Sequence, residues 1–394
     1  MWGGGSTGPV RARHLEGAAV VGWEGTDTSA LERAGLPFRP LAEVVGPDGL
    51  AAAEAAARTF ARVWGRLPLR DGKSFRELLS WRGMSLLFSA ESFIRTATAG
   101  PACARKAELA LRLLEETRPA ELDIHGLDPP DAALLSRAAN VRGILHHGPR
   151  WASLRPIPPT HVIPRHPRGR LRGLLAALAP DVPPPLPAPA APGASGGAAP
   201  LLLLAERGEA VSTARPLLEA LASELARPAL TVTMADLGRW RTRRVRRAVA
   251  EAEARLGEEW RRLRGQPGLV ESYSHRGVGF ADLAGRDLEA LMLGRLPQAV
   301  LLLEAAAELL AAVRPMAVLL AVAGRDDRRP LLRACAESGA PAIVLRFSPE
   351  GEEEADRADG GPQPALSLAW EPGSDPGVLA ARLRALARDT VEAR

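Results

Sequence analysis

The sequence predicts an α/β protein built from two Rossmann-like three-layer (αβα) domains with parallel sheets, related by an internal duplication. Three observations carry this expectation. A stretch of Pro, Ala and Gly at 180–200, PDVPPPLPAPAAPGASGGAAP, divides the 394 residues into halves of similar length. Such a composition builds no core and favours extended polyproline II, so it reads as a semi-rigid linker. Each half alternates short apolar runs with helical patterns, the signature of a parallel sheet covered by helices. The same order of signals then occurs twice. The expected domains are 1–179 and 201–394, with 180–200 between them.

In the first half, AAVVGW (18–23) is an apolar strand, followed by the loop EGTDTS, a short helix and a second strand near Phe38. An Ala-rich helix is expected over about 49–65. Trp81-Arg82-Gly83 follows, then a helix stopped by Arg118-Pro119, because a residue before proline disfavours the helical conformation. The strand ELDIHG (121–126), the helix DAALLSRAAN (131–140) and the strand GILHH (143–147) close the unit.

The second half repeats the order. LLLLAE (201–206) is the strand, RGEAVS the loop, TARPLLEALASELA the helix and ALTVT (229–233) the next strand. A charged helix is expected over about 237–264. His275-Arg276-Gly277 comes next, then a helix over about 287–313 stopped by Arg314-Pro315. MAVLLAVAG (316–324), RRPLLRACAES (328–338) and PAIVLRF (341–347) finish the unit. Pro119 follows Gly83 by 36 positions and Pro315 follows Gly277 by 38. LLSRAA in one half matches LLRACA in the other. Continuous runs such as LLLL and AVLLAV suit strands covered on both faces.

Composition sets limits. Apolar residues are 46% and charged residues 25%, with a net charge of +5, as in a soluble globular chain. The abundance of Arg and Ala reads as a GC-rich bacterial genome. Cys103 and Cys335 are the only cysteines, each in a helical pattern, and read as buried free thiols in a reducing compartment. No Cys/His cluster has zinc spacing, and His161 and His166 lie in a Pro-rich stretch, so no metal is expected. The N-terminus lacks the apolar core of a signal peptide. Glu304, Glu308, Arg314 and Pro315 interrupt the most apolar run, so it does not read as a membrane span. The expected location is cytoplasmic, with peripheral contact at the inner membrane face left open.

FRELLSWRGMSLLF (75–88), then a helix, RP, a strand ending near Gly and Asp, and GILHHG together resemble the acceptor-side domain of GT-B glycosyltransferase-like proteins of bacterial surface-carbohydrate biosynthesis. The tail EPGSDPGVLAARLRALARD is similar to that of many sugar-nucleotide transferases. The resemblance implies a GT-B-like arrangement and metal-independent transfer of a sugar from a nucleotide-sugar donor to a hydroxyl of a glycan or lipid-linked acceptor. It also implies that Glu371 lies near the donor. The loop after LLLLAE has a single Gly and no G-x-G-x-x-G, so the alternative is a non-catalytic duplicated binding or scaffold protein without a donor site.

The residues themselves give candidates. Open parallel sheets bind ligands beyond the carboxyl ends of their strands. That rule selects Glu24, Thr26 and Asp27, His125 and Asp128, and His146 and His147 in the first half. In the second it selects Glu206, Glu209 and Ser212, then Arg325, Asp326 and Asp327. His146 or His147 suits a general base, and both also suit an exposed turn. Arg82 and Arg276 suit either a phosphate contact in a cleft or a tight turn whose arginine pairs with acids. Ser212 suits a helix cap with an anion beside it. RWRTRRVRR (239–247) packs six arginines into nine residues. It suits a solvated helix face, an anionic lipid or, least, nucleic acid.

Overall fold

The computed structural model of the chain describes residues 19–24, 37–66, 68–94 apart from 71, 91 and 92, 98–147 apart from 126, 199–206, 209–264, 266–322, 325–346 and 366–369, with isolated positions elsewhere. It is mixed α/β with parallel sheets. Its contacts divide it into two compact units, each assembled from three separate stretches. Met1–Phe75, Ile94–Val162 and Arg262–Leu288 form the first, and Arg76–Phe93, Ile163–Arg261 and Glu289–Arg394 the second. The units therefore do not coincide with the two sequence halves. Each takes one stretch from the other half, and the Arg-Gly segments are inside the stretches exchanged.

In the first unit, β1 (Val21–Gly22) and β2 (Arg39–Pro40) pair in parallel and lead into α1 (Leu41–Val63). This helix begins earlier than its Ala-rich pattern suggests. It bends where Gly46 takes a φ of 66° and Pro47 restarts the helix, proline's fixed φ being suited to a first helical position. α2 (Ala99–Thr117) buries Cys103, Ala104, Ala107, Leu111 and Leu114 at helical spacing. It ends on Arg118 in the left-handed region, φ 43°, just before Pro119. β3 (Glu121–Asp123), α3 (Pro129–Arg142) and β4 (Leu145–His147) follow, with β3 and β4 parallel. Asp128 caps α3 by accepting the Asp131 N–H at 2.8 Å.

Aromatics make up 4% of the chain, and five of them gather in this unit. Phe60 lies 5.6 Å from Tyr273 and 5.4 Å from Phe280, and Trp64 stacks on Phe75 at 4.6 Å, centroid to centroid. Gly100 permits the approach, since a Cβ there would stand 2.5 Å from the Phe60 ring. Tyr273 and Phe280 come from the second half of the sequence, so this core is built from both halves.

The second unit holds β5 (Leu201–Ala205), α4 (Glu209–Glu224), β6 (Ala229–Thr233), α5 (Arg243–Leu263), α6 (Leu296–Val313), β7 (Ala317–Ala321), α7 (Arg325–Ser338), β8 (Ala342–Arg346) and β9 (Leu366–Ala369). The five strands form one all-parallel sheet in the order β6-β5-β7-β8-β9. Counted along the chain this is 2-1-3-4-5, with its switch point between β5 and β7. Every residue of those two strands is buried, which explains their unbroken apolar runs.

Two helices differ from expectation. α4 starts at Glu209, so Ser212 lies inside its first turn and does not cap it. The helix expected over about 287–313 instead runs from Ala281 through a π-helical turn, Leu291–Arg295, into α6. Pro297 explains the turn. It has no N–H and its ring crowds the preceding turn, and the helix widens so that the Leu296 N–H reaches the Leu291 carbonyl. Ala281–Val313 is long and apolar enough to cross a membrane, yet 67% of its most apolar window is buried within the structure.

Candidate functional site at the carboxyl edge of the sheet

Both Arg-Gly segments form two-residue hairpins. Ser80–Trp81 pairs with Met84–Ser85, and Ser274–His275 with Val278–Gly279. Such tight turns need positive φ at both central residues. Arg82 and Gly83 have φ of 46° and 72°, and Arg276 and Gly277 have 49° and 87°. An arginine in this region carries a steric cost, which its side-chain contacts offset.

Those contacts are the same in kind in both units. In the first, His275 Nε2 lies 2.7 Å from Glu108 Oε2. Arg276 donates to Glu108 at 3.1 Å and to Glu115 at 2.7 Å, and Arg112 donates to Glu108 at 2.9 Å. In the second, Trp81 Nε1 donates to Glu304 at 2.9 Å, and Arg82 donates to Glu304 at 2.8 Å and to Glu337 at 3.1 Å. Glu108 precedes the left-handed Arg118 by ten residues, and Glu304 precedes the left-handed Arg314 by ten. Each is a buried acid on an apolar helix, 4% and 2% exposed. Burial alone would raise the Glu108 carboxyl. Hydrogen bonds from His275, Arg112 and Arg276 outweigh it and hold the pKa below the usual carboxylate value.

A different cluster sits at the carboxyl edge of the five-stranded sheet. The Glu206 N–H donates to the Ala321 carbonyl at 3.2 Å, tying together the ends of β5 and β7 at the switch point. Asp326 is 4% exposed and accepts the Phe93 N–H at 2.9 Å. Asp327 accepts from Arg295 at 2.8 Å, and the same guanidinium lies 4.0 Å from Asp326. The π-helical turn presents Arg295, and such turns occur often at functional sites. Burial raises the Asp327 pKa; Asp326 and Glu206 raise it further while Arg295 opposes them. A carboxyl raised by burial and by neighbouring carboxylates at a switch point marks a functional-site candidate. Chemically, the edge sets carboxylates beside a fixed guanidinium, with Asp327 a weaker acid than an exposed aspartate. Among the described residues no group of three or more His, Cys, Asp or Glu is placed to hold a metal ion.

The other expected site residues are dispersed. His146 and His147 lie on β4 of the first unit, His146 half-buried and His147 exposed with its Nε2 on Glu121. His125 is exposed, and Asp128 serves as a cap. Glu24 pairs with Arg105, whose hydrogen bond lowers its pKa. Arg276 belongs to the first unit, and Arg82 and Ser212 to the second. Thr26, Asp27, His161, His166 and Glu371 lie outside the described residues, as do the side chains of Glu209 and Arg325. Cys103 and Cys335 are buried free thiols, and burial pushes each to about 12. Sequence reasoning missed Arg295; its one signal was Gly294-Arg295 just before Pro297 within an apolar run. The chain matches no protein-family model, no curated protein and no solved structure.

Arg295→Gln tests the electrostatics of the edge. Without the guanidinium, the Asp327 pKa rises further. A carboxyl whose folded pKa exceeds its unfolded value gives stability at low pH that is lost as pH rises through the folded value. The substitution should therefore cost little at pH 4 and about 1–3 kcal/mol at pH 8. Urea unfolding at the two pH values checks this, and an equal cost at both would contradict it.

Proposed function

We propose that the protein is a non-catalytic binding protein built from a duplicated Rossmann-like unit, taking a small, neutral, hydroxyl-rich ligand at the carboxyl edge of its five-stranded sheet. The observation that carries this reading is the approach of Asp327 and Asp326 to Arg295 at the switch point, with Glu206 close enough to act on Asp327. Carboxylates accept from ligand hydroxyls, and the guanidinium donates in a fixed plane.

The charge of the edge argues against a nucleotide-sugar donor there. Acids beside the site disfavour a diphosphate even with Arg295 among them, and the loop after β5 has no G-x-G-x-x-G to cradle one. Arg82 and Arg276, the cations suited to steadying a diphosphate, engage Glu304 with Glu337 and Glu108 with Glu115. A GT-B-like arrangement with His146 or His147 as base therefore has less support than the binding reading.

Thermal unfolding with a panel of nucleotides, nucleotide-sugars and neutral saccharides tests the proposal. The expected result is stabilisation by a neutral saccharide, abolished by Asp327→Asn, and none by nucleotides. Stabilisation by several degrees with one nucleotide-sugar would overturn it in favour of sugar transfer.

A further inference from the structure

A groove of about 380 Å³ runs between α5 and the π-helical turn leading into α6. Its size falls within the range of small-molecule sites, about 300–1,000 Å³. Arg241 lies just before α5 and Arg246 in its first turn, and Val245, Leu293 and Pro297 also line the groove. The Arg246 side chain is half-buried and has no ionic or hydrogen-bonding partner among the described residues. Arg241 commits only its Nε, to the Gly238 carbonyl at 3.1 Å.

Two features bear on what the groove could hold. The first turn of α5 holds no acid, and while Arg244 pairs with Glu308 at 3.1 Å, the Arg246 side chain stays unpaired among the described residues. Cations there oppose the helix dipole, whose positive end is the N-terminus. An anion would be favoured by both the dipole and the guanidiniums. Secondly, Gly294 lies on the groove wall inside a helical run, where glycine is unfavourable. A Cβ at Gly294 would meet nothing within 4 Å, and its φ is not in the left-handed region. Neither packing nor backbone geometry requires glycine at this position. Its missing side chain instead keeps the groove open.

We infer that this groove binds a single-chain anionic amphiphile, with its phosphate or carboxylate on Arg241 and Arg246 and its chain along Val245, Leu293 and Pro297. The anion lies at the Arg end because Glu253 lies two turns further along α5, about 10 Å away.

Titration calorimetry of the whole chain with decyl phosphate, below its micelle concentration, tests the inference. Binding is expected, with inorganic phosphate at least about tenfold weaker and Arg246→Gln about tenfold weaker than the native chain. Gly294→Leu should abolish binding while the thermal midpoint stays equal or rises, because leucine favours the helix and fills open space. Unchanged binding by Gly294→Leu would overturn the inference. So would equal affinity for inorganic phosphate. Anionic phospholipid vesicles that bind the native chain and Gly294→Leu alike, with no binding of decyl phosphate, would assign the arginines to a membrane surface and overturn it too.

Discussion

A chain cut within 180–200 should yield two halves that do not fold alone and that fold when mixed. The first unit draws on Arg262–Leu288 from the far side of the cut. Residues 1–190 alone would lack Tyr273, Val278, Phe280 and Leu288, which are 7%, 0%, 0% and 2% exposed in the intact chain. Truncating one large buried side chain costs about 3–5 kcal/mol. Losing several exceeds the roughly 5–15 kcal/mol by which a typical domain is stable. The second unit loses Arg76–Phe93 in the same way, including Leu79, Met84 and Leu86, each 3% exposed or less. Near-ultraviolet circular dichroism and denaturant unfolding of 1–190 and 191–394, apart and mixed, decide the matter. Cooperative unfolding of either half alone would contradict the interleaved architecture.

Glu108→Ala should be among the most destabilising single substitutions in the first unit. It strands His275, Arg276 and Arg112 around an empty site. Breaking a buried ion pair from one side costs about 3–5 kcal/mol. Arg276 and Arg112 side chains are 41% and 39% exposed, so water takes up part of the loss and about 2–3 kcal/mol is expected. The pH dependence has a definite sign. The folded Glu108 pKa lies below the usual carboxylate value. Its stabilisation is full above the unfolded pKa and lost as pH falls through the folded one. The gap between native and Glu108→Gln should therefore hold at pH 7 and close below about pH 4. Urea unfolding across that range checks it, and a gap that widens in acid would contradict the assignment.

Much of the local structure was legible because short-range chemistry fixes it. The unbroken apolar runs of β5 and β7 mark strands covered on both faces, and the Arg-Pro pairs mark where α2 and α6 stop. The Arg-Gly repeat signals two turns of one kind. What those turns touch was not legible. Glu108 and Glu304 are single acids in apolar helices, more than 160 and 220 residues from their hairpin partners. No local pattern encodes that separation. The division at 180–200 assumes that each compact unit is one continuous stretch of chain, and exchange of the hairpins breaks that assumption. Arg295 was hidden because an apolar run with Pro297 reads as a plain helix, and the i→i−5 turn that reorients the side chain leaves no periodic trace.

The exchange of hairpins is tested most directly by a double-mutant cycle on Arg82 and Glu304, which are 222 residues apart and 2.8 Å from contact to contact. Arg82→Met, Glu304→Gln and the pair are compared with the native chain by denaturant unfolding; glutamine keeps an acceptor for Trp81. The architecture predicts a coupling energy of about 1–3 kcal/mol, toward the lower end because the Arg82 side chain is 31% exposed. Additive effects, with a coupling of less than about 0.3 kcal/mol, would mean that the first hairpin does not dock on α6 and would contradict the account.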